Sequence, residues 1–174
     1  MKDILLVVDM QNDFIDGALG TPEAISIVPQ VVDKIHAFAG DIICTRDTHS
    51  ETYLTTQEGK NLPVPHCIEG TPGWQLAPAI EEACQAKGAA ILNKLTFGSR
   101  DLPSFLQETY PEGIASLHII GLCTDICVIS NALLLKAFFP EVPITVDSSC
   151  CAGVTPESHE TALAAMKMCQ IRIE

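Results

Sequence analysis

Basic side chains are scarce in this sequence. Ten Lys and Arg stand against 22 Asp and Glu, a formal net charge of −12. Such a surface repels phosphate backbones and anionic lipid, so neither nucleic acid nor a membrane surface is an expected partner. Aromatic residues make up only 5% of the chain, with a single tryptophan. No run of 18 apolar residues occurs, which leaves no candidate for a transmembrane helix. The first apolar run, Ile4 to Val8, stops at Asp9 and is too short for the core of a secretory signal. A cytoplasmic protein is therefore expected. No CxxC pair occurs among the eight cysteines, which argues against a zinc knuckle. In a reducing compartment these cysteines read as free thiols. There is no internal repeat and no low-complexity tract.

What remains is a globular composition. The 174 residues are 47% hydrophobic and 18% charged, enough for one domain over 1–174 with a sizeable core. Six short aliphatic runs read as buried strands: Ile4–Val8, Asp41–Thr45, Ala89–Asn93, Leu117–Gly121, Ile144–Val146 and Ile171–Ile173. They lack polar alternation, as strands covered on both faces do. Segments of helical period lie between them: Ile27–Phe38, Gln75–Gln85, Leu102–Glu108, Asp125–Phe138 and Glu157–Cys169. The alternation predicts an α/β fold, three layers α/β/α around a six-stranded parallel sheet. From Asp47 to Trp74 the rhythm breaks into Thr, Gly, Pro and Glu, and a loop that long is usually functional or mobile.

Ligands of open α/β sheets sit beyond the carboxyl ends of the strands. That rule selects Asp9 and Asp13, Asp47 and His49, Lys94, and the Cys123–Cys127 region. Thr124 is a plausible N-cap, which would put Cys127 in the first turn of a helix. There, free N–H groups favour a thiolate and could hold an oxyanion. Read alone, Cys127 is equally a small buried apolar residue. Asp9 ends a buried run, so lost solvation should raise its pKa and suit it to take and return a proton. Lys94 could restrain both charges. Taken singly, Asp9 is also a strand-end cap and Lys94 a snorkelling surface lysine.

The segments Asp9-Met10-Gln11-Asn12-Asp13-Phe14, Lys94 and Gly121-Leu122-Cys123-Thr124-Asp125-Ile126-Cys127-Val128 together resemble the isochorismatase-like cysteine hydrolases. Asp47-Thr48-His49 and His66-Cys67-Ile68-Glu69-Gly70-Thr71-Pro72-Gly73 resemble the nicotinamidase branch. Val146-Asp147 and the run from Thr155 to Leu163 are also similar. The resemblance implies strand order 3-2-1-4-5-6, which makes strands one and four neighbours. It implies Asp9 as acid/base, Lys94 as its electrostatic partner and Cys127 as nucleophile. It implies a cis Leu122–Cys123 peptide, with the backbone N–H groups of Cys123 and Cys127 as oxyanion donors. Lys94 must span roughly 10 Å, two strand spacings, to reach strand one.

Asp47, His49 and His66 are sound ligands for zinc, with manganese or iron as alternatives. Without the resemblance they read as polar loop residues. With it they form a metal set that orients the substrate. Phe14 matches an aromatic that lines the family's pocket. Thr48 and Ser50 replace the Trp and Pro common in nicotinamidases, and Leu62 and Pro63 lie where an aromatic is usual. Trp74 and Phe97 are therefore candidate substrate-binding walls. Cys123 stands where Ala is common, a second thiol able to capture a sulfenic acid on Cys127.

The expected function is a cysteine-dependent amidohydrolase with a divalent metal, acting on a small amide such as nicotinamide. Relatives suggest a homo-oligomer. The rivals are hydrolysis of another small amide or an isochorismate-like vinyl ether, and a ligand-binding or redox-responsive protein without turnover.

Overall fold

The computed structural model describes residues 1–174. Its sheet has six strands: β1 (Lys2–Val8), β2 (Asp41–Asp47), β3 (Ala90–Lys94), β4 (Ile114–Leu122), β5 (Ile144–Ala152) and β6 (Arg172–Ile173). All pairs are parallel and the order is β3-β2-β1-β4-β5-β6, as expected. The helices are α1 (Asn12–Ile15), α2 (Pro22–Ala37), α3 (Gln57–Asn61), α4 (Pro78–Ala86), α5 (Leu102–Thr109), α6 (Ile129–Phe138) and α7 (Pro156–Met168). None is long and apolar enough to cross a membrane.

The strand period of two explains the layers. Along β1, Leu5 and Val7 enter one core, with Ile27, Val31 and Ile35 of α2 and Ile80 and Ala83 of α4. Ile4, Leu6 and Val8 enter the other, with Leu102 and Leu106 of α5, Leu135 of α6 and Met166 of α7. These five side chains are at most 1% exposed, so beyond Lys2 and Asp3 the strand has no polar face to show. Burying each is worth about 1.5–3 kcal/mol, which makes β1 the anchor of both cores.

Element ends differ from the sequence reading where caps decide. The α2 helix begins at Pro22, not Ile27, because the Thr21 hydroxyl accepts from the Ala24 N–H at 3.0 Å and Pro22 suits the first turn. The α4 helix starts at Pro78 because Pro72–Trp74 forms a separate tight turn. The β5 strand runs on to Ala152 through the polar run Asp147–Ser149, which hides it from a hydrophobicity pattern. The long loop is ordered: it holds a 3₁₀ turn at Tyr53–Thr55, and then α3, capped by the Thr56 hydroxyl on the Gly59 N–H.

Candidate active site

Four strands deliver their next residues to one end of the sheet. Asp9 follows β1, Asp47 ends β2, Lys94 ends β3, and Cys123–Cys127 follows β4. Gly121 makes the last junction possible. Its φ is 115°, and a Cβ there would stand 2.1 Å from the Val8 carbonyl oxygen. Only glycine lets β4 lie that close to β1 just before the turn. The next peptide, Leu122–Cys123, is cis.

Lys94 closes the distance the sequence leaves open. Its Nζ lies 2.7 Å from Asp9 Oδ2, 3.1 Å from Asp47 Oδ1 and 3.3 Å from Cys127 Sγ. It also donates to the Thr96 carbonyl at 3.2 Å. Asp9, Lys94 and Cys127 are 0%, 2% and 4% exposed. Asp9 itself has φ 48°, a left-handed conformation costing a non-glycine residue about 1–2 kcal/mol, held by its N–H on the Thr45 carbonyl. Its Oδ1 accepts from the Thr45 hydroxyl at 2.7 Å. Its Oδ2 has the ammonium beside it but no aligned hydrogen bond.

Burial pushes the Asp9 carboxyl up, the direction expected from its place at a strand end; Lys94 pulls it back and the charge of Asp47 adds to the rise. Burial also pushes the Cys127 thiol well up, reinforced by Asp9 and opposed by Lys94. Desolvation and carboxylate charge thus act against the thiolate that a helix start favours, while Lys94 acts for it. Thr124 is not the cap. Cys123 occupies that position, Thr124–Val128 form a π-helical turn, and the Thr124 hydroxyl pairs with His159 Nδ1 at 2.8 Å.

A cavity of about 500 Å³ opens above this cluster, within the size range of small-ligand sites. Cys127, Cys123, Asp47 and His66 line it, with Phe14 and Phe97 as aromatic walls and Leu62, Leu95 and Ile126 as aliphatic ones. Trp74 does not reach the cavity, contrary to the sequence reading. It is 9% exposed, its Nε1 donates to Thr48 Oγ1 at 2.9 Å and the Arg46 guanidinium lies 3.8 Å over its ring. The tight turn at Pro72–Trp74 folds it into the core beneath the loop instead.

Asp47, His49 and His66 converge as expected, and a fourth residue joins them. The nearest ligand atoms of Asp47, His49, Glu58 and His66 all lie within 4.8 Å of one another. His49 Nε2 is 3.0 Å from Asp47 Oδ2 and 3.5 Å from Glu58 Oε1; His66 Nε2 is 3.8 Å from each of those oxygens. His66 Nδ1 is 2.8 Å from the Val64 carbonyl, an acceptor that assigns it the proton and leaves the Nε2 lone pair facing the group. Two imidazoles and two carboxylates fit a divalent cation. Tyr53 holds the imidazoles, with its ring centroid 4.7 Å from His49 and 5.0 Å from His66.

Polar clamps fix the frame, and of these the sequence reading selects only Asp13. Gln11, fully buried, accepts from the Asp47 N–H at 2.7 Å and donates to the carbonyls of Asp47 and Trp74 at 2.8 and 2.9 Å. Asp13 reaches no reacting group; it accepts from the Cys67 N–H at 2.7 Å and so seats His66. Asn131 accepts from the Ser99 N–H at 2.8 Å and donates to the Cys127 carbonyl at 2.8 Å and the Phe97 carbonyl at 3.3 Å.

Comparison with known proteins agrees. A pyrazinamidase of Pyrococcus horikoshii solved in complex with zinc superposes with TM-score 0.84 at 30% identity, over 100% of this chain and 99% of that one. A nicotinamidase of Bacillus subtilis superposes with TM-score 0.83 at 30% identity, over 99% of both chains. The nicotinamidase/pyrazinamidase of Mycobacterium tuberculosis is 26% identical over 184 residues, 97% of this chain and 96% of that protein. The isochorismatase domain matches residues 3–173, from the first strand to the last, and the chain belongs to that family.

Proposed function

We propose that this protein is an amidohydrolase that cleaves a small aromatic carboxamide, nicotinamide first among them, to the acid and ammonia through a thioester on Cys127. The observation that carries this reading is one ammonium in contact with Asp9, Asp47 and Cys127 at the floor of an aromatic-walled cavity. Relatives named nicotinamidase or pyrazinamidase support it, since those are hydrolases of an amide C–N bond.

In this mechanism Asp9 takes the Cys127 proton as the sulfur attacks the amide carbon. Burial raises the Asp9 carboxyl, which makes its carboxylate a better base for that transfer. Lys94 offsets the carboxylate and then the thiolate. The backbone N–H groups of Cys123 and Cys127 hold the oxyanion, and Asp9 returns the proton to the leaving ammonia. Water then gives a proton to Asp9 and its oxygen to the thioester carbon, releasing the acid and restoring the thiol. Phe14 and Phe97 flank the ring. Asp47, His49, Glu58 and His66 would hold a divalent ion, zinc in this reading, which supplies a Lewis-acidic seat for a ring nitrogen.

Vinyl-ether hydrolysis needs neither a thiol nor a cation site, and nothing in the geometry favours it. The test is ammonia release from nicotinamide, pyrazinamide and simple aliphatic amides. Wild type should turn over the ring amides, and Cys127→Ala should lose at least about 1,000-fold in kcat. Undiminished release by that variant refutes the covalent route.

A further inference from the structure

We propose that Cys44 and Cys84 form a disulfide, stapling β2 to α4, when the chain folds in the presence of a small-molecule disulfide oxidant. Their sulfurs are 2.8 Å apart. That is closer than two unbonded sulfurs rest, and within 1 Å of a disulfide bond of about 2.05 Å. The two side chains are 0% and 1% exposed, and neither is free to swing away. Cys44 is held in the ladder opposite Val7 and Ile91, and Cys84 sits on α4 beside Ile80 and Ala83 in the packed core.

The bridge would not touch the reacting sulfur. Cys44 and Cys84 belong to the core on the α2 and α4 face, whereas Cys127 belongs to the core on the other face. Its position matters for another group. Asp47, His49, Glu58 and His66 all lie between residues 44 and 84, so the bond would close a loop containing every candidate cation ligand. Both ends of that loop would then be tied covalently to the same point of the core.

With oxidised glutathione the chemistry balances. One cysteine thiolate attacks the glutathione disulfide, forming a mixed disulfide and releasing one reduced glutathione. The second thiolate displaces the other, leaving the protein disulfide. Two thiols have lost two protons and two electrons, and one glutathione disulfide has become two thiols. Because both sulfurs are sealed in the folded chain, exchange belongs to folding, before α4 closes over β2.

The test is to reduce and unfold the full chain, refold it with a mixture of reduced and oxidised glutathione, and measure intact mass and thiol content under denaturant. The expected product is about 2 Da lighter than the reduced chain, with six titratable thiols in place of eight. No Lys or Arg separates Cys67 from Cys84, but Glu69, Glu81 and Glu82 do, so digestion after glutamate assigns the bond. The Cys44 peptide should be linked to the Cys84 peptide. The oxidised protein should melt roughly 5–15 °C above its reduced form. Eight free thiols after refolding overturn the proposal. So does a bond mapped to any other pair, including Cys123 with Cys127. Cys44→Ser and Cys84→Ser, refolded in the same way, should each keep seven free thiols, and the wild-type mass alone decides the matter if either fails to fold.

Discussion

Asp9 and Lys94 are legible as candidates in the sequence because each stands at the end of an aliphatic run, where a polar residue must answer to the sheet's rim, and Cys127 because it lies in the turn that opens the next helix. Their mutual contact is not legible, since residues 9, 94 and 127 are joined only by strand order. Glu58 shows the opposite case. A lone glutamate in a polar loop carries no local signal, and it becomes a ligand candidate only when α3 turns it toward His49 and His66. Trp74 misleads for a related reason: composition says the site needs aromatics, while the tight turn at Pro72 buries this one. Glu58→Gln keeps the shape and removes the charge. We expect its bound divalent metal, measured by elemental analysis after dialysis, to fall well below that of wild type, with affinity lower by roughly 10–100-fold. Undiminished metal content would remove Glu58 from the set.

The elements that hold the site are those a periodicity pattern reads least well. The stretch Asp125–Phe138 looks like one helix, yet its first turn is π-helical and only Ile129–Phe138 is α. The loop from Asp47 to Trp74 shows no period because its order comes from side chains: the Thr56 cap, the Tyr53 hydroxyl on the Leu62 carbonyl at 2.9 Å, and Asp13 on the Cys67 N–H. Asn131 ties the π-turn to the segment after β3, linking the nucleophile's turn to the wall that carries Phe97. Asn131→Leu would leave the buried Ser99 N–H and Cys127 carbonyl without these partners. It should cost about 2–4 kcal/mol in urea unfolding and lower kcat by about 10–100-fold. Unchanged kcat in a folded variant would show that the turn needs no such tie. In β1, Leu5→Ala should cost about 2–5 kcal/mol by the same measurement, because the hole opens in a core with no exposed edge.

At the scale of the molecule, the three-layer sheet is legible because its strands are uniformly aliphatic, and the order follows from resemblance, which periodicity alone cannot supply. Charge also acts here, since α2 is tied to β5 by Lys34 Nζ on Asp147 Oδ2 at 2.7 Å, with side chains 29% and 16% exposed. Burial opposes ionisation of Asp147, but the hydrogen bonds from Lys34 and Ser149 outweigh it and hold its carboxyl below the usual range. The Asp147 hydrogen bond raises Lys34 despite partial burial. The carboxylate's contribution is therefore complete above the unfolded value of about 3.9 and fades as pH falls through the lower folded one; the lysine's is lost only above about 10.5. Lys34→Met should destabilise the protein by less than about 1 kcal/mol at pH 7, and the gap should shrink as unfolding is measured toward pH 3. The central place of β1 between β2 and β4 has a last consequence. Were β1 to slip one position along its neighbours, the carboxylate that follows it would move about 3.3 Å from its sulfur and ammonium, and Leu5 and Val7 would face the wrong way. Turnover thus doubles as a gauge of alignment: a collapsed chain that has zipped up one notch off would look well folded by size and helicity, and would be silent in the assay.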